Sequence, residues 1–125
     1  MNYNDMRKML KDERGAAAVE FAIVGPVYII LTIGILYTCL VLFSVASMQY
    51  AVEQAARCAG VNSTACATSG QIVAYAKADY LGPFTPTFTY AAKTCGNQVS
   101  ASASLTYDVV FKTFTIPFSV KACFP

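Results

Sequence analysis

The side chains best able to do chemistry in this 125-residue sequence are five cysteines and a few carboxylates, with no histidine to join them. That absence excludes Ser-His-Asp and Cys-His nucleophilic arrangements, His-containing zinc sites and a histidine pH switch. Cys39 lies inside a long apolar run, where a thiol behaves as a small hydrophobe. Cys58, Cys66, Cys95 and Cys123 all follow that run, and an even set of this kind reads as two disulfides formed in an oxidising compartment. A zinc site is the rival reading, but no pair has C-x-x-C spacing. Four cysteines allow three pairings, and sequence alone does not choose among them. The favoured arrangement is Cys58–Cys66, a short staple behind a helix, with Cys95–Cys123 tying a strand region to the chain end. After the apolar run the only acids are Glu53, Asp79 and Asp108, which form no recognisable acid–base pair. The sequence therefore predicts no catalytic residue, no metal site, no cofactor and no enzyme.

The composition asks what must position these residues. Hydrophobic residues make up 56% of the chain against 13% charged, and mean hydropathy is +0.48. A net charge of +2 is too small and too dispersed for a nucleic-acid interface. The apolar content is concentrated: from Phe21 to Val52 no side chain is charged at neutral pH. As a helix that stretch would run about 48 Å, against a hydrocarbon core of roughly 30 Å. Phe21 to Phe43 suffices to cross. Beyond it, Val45, Met48, Val52, Ala55 and Ala56 share one helical face while Ser44, Ser47, Gln54 and Arg57 fall elsewhere, an amphipathic period. The prediction is one helix that leaves the bilayer and continues as a stem. Arg7, Lys8, Lys11 and Arg14 precede it and only Arg57 follows closely, which places the N-terminus in the cytoplasm and residues 58–125 outside it. Pro26 removes one helical hydrogen bond, to the carbonyl of Ala22, and acts at most as a soft point.

After the stem, Ala59 and Gly60 read as a helix stop. Ser69 is the expected cap of a second helix over 71–81, with Ile72, Val73, Ala76 and Tyr80 on one face and Gly82-Pro83 as its end. The period then changes to two. Phe84, Pro86, Phe88 and Tyr90 alternate with threonines, and Val99, Ala101, Ala103, Leu105 and Tyr107 alternate with Ser100, Ser102, Ser104 and Thr106, the pattern of half-buried strands. Gly96-Asn97 between them is turn chemistry. A third segment runs from Phe111 to the end, interrupted by Pro117, with Phe118, Val120 and Ala122 on one side. The expected class is α+β: a long N-terminal transmembrane helix and stem packed on a small domain with one short helix and a three-stranded antiparallel sheet. Domains of that size are marginal, and two disulfides would compensate.

Glu20 does not fit the apolar run that it heads. A carboxylate in hydrocarbon costs about 2.5–3.5 kcal/mol at the bilayer centre and less near the boundary. Its context is Arg14-Gly15-Ala16-Ala17-Ala18-Val19-Glu20-Phe21. This segment resembles the recognition site of prepilin peptidase, a glycine followed by four residues and then Glu-Phe. The run from Arg14 to Gly60, with Pro26 near the helix start and Ala55-Ala56-Arg57-Cys58 at its close, resembles TadE-like minor pilins, or pseudopilins, of the tight-adherence (Tad/Flp) pilus system. The cysteine layout and the terminal Ala122-Cys123-Phe124-Pro125 resemble the family more loosely.

The resemblance implies a minor pilin needed for pilus assembly and cut by prepilin peptidase between Gly15 and Ala16, with Glu20 and Phe21 completing the processing site. It implies a leader at 1–15, a transmembrane and stem helix at 16–57 and an exported, disulfide-stapled domain at 58–125. Glu20 would then face the new Ala16 amine, its own or a neighbour's, and guide assembly. Partners would be the peptidase, other pilin subunits and the bacterial inner membrane, with the C-terminal domain periplasmic or carried into a pilus; no nucleic acid and no small-molecule substrate are expected. The alternative is an unprocessed single-pass envelope protein whose exported domain binds a partner. Ser44-Val45-Ala46 also resembles an ordinary signal-peptidase site, but the apolar run is too long for a signal sequence.

Overall fold

The structure, a computed structural model, describes residues 2–10, 13–109 and 111–125, with side chains placed for 2–8, 15–106 and 111–125. Lys11 and the side chains of Arg14, Tyr107 and Asp108 lie outside the described residues. The elements run α1 (Tyr3–Leu10), α2 (Glu13–Val61), α3 (Ser69–Asp79), β1 (Thr87–Lys93), β2 (Gly96–Val109) and β3 (Lys112–Phe124). The class is α+β, as the change of period from 3.6 to 2 predicts. The residues form two compact units, 1–38 and 39–125, and α2 contributes to both.

In the first unit, α1 is a short helix with Asp5 in its first turn and Arg7 and Lys8 in its last, charges matched to the helix dipole. Arg7 lies over the Tyr3 ring at 5.1 Å. The part of α2 in this unit is apolar and almost wholly exposed, with Phe21, Tyr28 and Ile30 each at least two-thirds accessible. Pro26 sits inside the helix without ending it.

In the second unit, α2 turns one stripe inward. Ser44, Met48, Ala51, Val52, Ala55 and Ala56 are all buried, at the i, i+4, i+7, i+8 spacing of one helical face. Ser44 belongs to this stripe rather than to the polar side, because its hydroxyl is satisfied by donating to the Leu40 carbonyl at 2.9 Å. The helix runs past the expected stop to Val61. Asn62 follows it, and its side-chain oxygen accepts from the Thr64 and Ala65 amides at 3.1 and 3.0 Å. Gly60 instead provides space: a β-carbon there would stand 2.6 Å from the Phe124 ring, so the chain end packs on the close of the helix.

The cap of α3 is Thr68, one residue before the expected Ser69. Thr68 accepts from the Gln71 amide while the Gln71 side chain accepts from the Thr68 amide, a reciprocal capping box. Ile72 and Ala76 are buried, with Val73 and Tyr80 packed beside them.

The sheet is an antiparallel meander in the order β1-β2-β3. Its first turn is Thr94-Cys95, and Gly96 and Asn97 already belong to β2, paired with Lys93 and Ala92; the turn therefore precedes the Gly-Asn pair. Gly96 has φ +113° and the Phe124 and Pro125 backbone presses against it, which only glycine accommodates. β3 passes through Pro117 without a break, opposite Ser104. An edge strand tolerates proline because half of its amides face away from the sheet. Phe88, Val99, Ala101 and Leu105 are buried while Ser102, Ser104 and Thr106 are exposed, the alternation that predicts a half-covered sheet. The buried faces of α2, α3 and the sheet meet in one core built around Met48, Val52, Ile72, Phe88 and Val99.

Cys58 is bonded to Cys66 and Cys95 to Cys123, with Cα separations of 5.8 and 6.2 Å. Cys39 is free and exposed on α2.

Candidate functional site

The residues singled out by spacing, Gly15, Ala16, Glu20 and Phe21, lie on the opening turns of α2. All four are exposed. Gly15 is the third residue of the helix, and among the described residues, its chain neighbours and the backbone of its own helix aside, nothing lies within 4 Å of where its β-carbon would be. Amides in a first turn have no intrahelical partner, and glycine costs a helix interior about 1 kcal/mol relative to alanine. The Gly15–Ala16 bond joins two exposed residues near the start of α2.

Ala16 and Glu20 are four residues apart, about 40° around the helix from one another, so they share a face. Side chains on a helix lean toward its N-terminus. A side chain at position 20 is thereby on the same side of the helix as Ala16, one turn back.

Phe21, 78% exposed, begins the apolar surface. Gly25 stands one turn further on, and a β-carbon there would be in ordinary contact with the Phe21 ring at 3.8 Å. Phe21, Gly25, Pro26, Tyr28 and Ile29 border a shallow apolar notch of about 490 Å³. Thr32 and Thr38 turn their hydroxyls back onto the Tyr28 and Gly34 carbonyls, each at 2.8 Å, so neither adds an unsatisfied polar group to this surface.

The span within Gly15–Val61 is long and apolar enough to cross a membrane, and only 6% of its most apolar window is buried. The core helix of a water-soluble protein would be mostly covered; this one offers its apolar side chains outward.

Glu53 accepts from the Gln49 amide nitrogen at 2.7 Å, Asp79 ends α3, and among the described residues no three of His, Cys, Asp and Glu are grouped as a metal site would need. Sequence reasoning missed two contacts. The Ser47 hydroxyl accepts from the Leu81 amide at 2.9 Å, and the Tyr90 hydroxyl donates to the Asn97 side chain at 2.7 Å. The first had no local signal, since its partners are distant in sequence; the second follows from strand register alone.

No curated protein and no solved structure matches this chain. A family model does, that of the TadE-like proteins, and its match opens on Gly15, takes in Glu20 and the exposed apolar span, and closes at residue 57 on the buried stem. The sheet lies beyond it. Over residues 15–57, less than half of the chain, this helix is similar to the TadE-like proteins.

Proposed function

We propose that this protein is a minor pilin, or pseudopilin, required for assembly of a Tad (Flp) pilus and processed by prepilin peptidase after Gly15. The observation that carries the reading is the coincidence of an exposed Gly15-Ala16 pair, Glu20-Phe21 and an exposed apolar span at the head of a TadE-like helix. Residues 1–15 act as a cytoplasmic leader whose Arg and Lys residues fix orientation during insertion. Residues 16–57 anchor the subunit and form its stem, and residues 58–125 make the stapled domain on the far side of the inner membrane. Cleavage leaves Ala16 as a charged amine on the same helix face as Glu20. That pairing offsets two charges that the bilayer disfavours and favours entry of the subunit in register with its neighbours. The chain is a substrate of the peptidase and a partner of other pilin subunits; it carries out no catalysis of its own.

N-terminal mass spectrometry of the membrane-extracted protein tests the reading. An N-terminus at Ala16 supports processing. An intact Met1 in cells with active peptidase overturns it in favour of a permanently anchored envelope protein, and one at Ser47 would indicate secretion.

A further inference from the structure

The antiparallel ladder between β1 and β2 stops at Thr87 opposite Ser102, whereas β2 continues paired to β3 as far as Val109 opposite Lys112. Among the described residues, nothing pairs with β2 from Ala103 to Val109 on the side where β1 has ended. This part of the sheet is a two-stranded ribbon, a form that is marginal in water by itself. The two edges of the ribbon differ in composition. The outer edge, β3, carries Lys112, Pro117 and Lys121, residues that discourage further strand pairing. The open stretch of β2 reads Ala-Ser-Leu-Thr-Tyr-Asp-Val, with no lysine and no proline. At the ribbon tip Phe111 is 97% exposed. Where β1 begins there is an open groove of about 550 Å³, with Pro83, Phe84 and Thr85 on one side and Ser102, Ala103 and Ser104 on the other.

We infer that the open edge of β2 is an interface with a second copy of this chain, in which the two β2 strands pair antiparallel about a two-fold axis at Thr106. The register follows from the length of the edge. Only residues 103–109 lack a ladder partner on that side, so full overlap pairs 103 with 109, 104 with 108 and 106 with itself. Asp108, the one charge on the edge, then opposes Ser104 of the second copy, so no like charges meet. The same register carries the Phe111 tip of each copy to the place where β1 of the other begins, beside its groove. The open edge of one copy meets the same edge of the other, as an isologous interface requires. This inference rests on the sheet and holds whether or not Gly15 is cleaved.

The test uses the full chain in its native membrane, in a Cys39→Ser background so that the introduced cysteine supplies the free thiol. Thr106→Cys places two thiols across the proposed axis at a separation that a disulfide spans. Mild oxidation is expected to give at least about tenfold more covalent dimer than Thr89→Cys on the exposed face of β1, because pairing raises the local thiol concentration. As a second measurement that does not depend on one variant folding, Ser104→Cys and Asp108→Cys chains are co-expressed, and dimer is expected from the mixture but not from either alone. Equal yields at positions 106 and 89, or crosslinks only to other proteins, overturn the inference.

Discussion

The backbone amide of Leu81 donates to the side-chain hydroxyl of Ser47 at 2.9 Å, across 34 positions of sequence. It fastens the segment that leaves α3 to the stem, next to the buried turn around Met48. Ser47→Ala leaves that amide without its partner, a loss of about 1 kcal/mol. A fall of roughly 4–8 °C in the melting temperature of the C-terminal unit is expected, read by near-ultraviolet circular dichroism of the full chain in detergent; an unchanged melt would show that water replaces the hydroxyl.

Gly96 combines φ +113° with backbone packed against it from Phe124 and Pro125. Gly96→Ala meets both obstacles together and is expected to cost more than about 1 kcal/mol, beyond the usual penalty for a side chain in a left-handed conformation. The check is the fraction of chains that acquire the neighbouring Cys95–Cys123 bond, followed by thiol labelling. Labelling of both cysteines should rise in the variant.

The two disulfides close loops of different size, with sequence separations of 8 and 28. In the chain-entropy account these contribute about 2.5 and about 3.6 kcal/mol respectively. Replacing Cys95 and Cys123 together by serine is therefore expected to lower stability more than replacing Cys58 and Cys66. Denaturant midpoints of the two double variants decide it, and a reversed order would show that local packing outweighs loop size.

Glu20 is expected to matter for assembly and not for insertion. Glu20→Gln keeps the size and shape of the side chain but removes the charge proposed to pair with the Ala16 amine. Membrane levels of the protein should be unchanged while pilus biogenesis and co-purification with other pilin subunits fall. Normal piliation in the variant would remove Glu20 from the assembly role.

Much of this architecture is legible in the residue pattern. The stem is read from Met48, Val52, Ala55 and Ala56 at helical spacing, and the sheet from the alternation of Val99, Ala101 and Leu105 with serines. The TadE-like segment is legible from Arg14 to Phe21 and the apolar run behind it. The points missed have particular causes. The cap at Thr68 was signalled by Gln71 three residues later, a spacing that outweighs the hydroxyl at Ser69. Ser44 is buried because a backbone carbonyl one turn back satisfies it, which hydropathy does not record. Pro117 stays within a strand because β3 lies at an edge, a property of topology that no local window contains. The open edge of β2 is of the same kind, visible only once the end of β1 is known.

The bond between Cys95 and Cys123 also determines how tension passes through the sheet. It joins the last turn before β2 to the penultimate residue of β3, so a pull arriving along β1 and leaving beyond Cys123 crosses the sulfur bridge and bypasses the hydrogen-bonded ladder. The β2–β3 hairpin hangs outside that load path as a slack loop. A chain under mechanical strain would therefore keep the hairpin zipped.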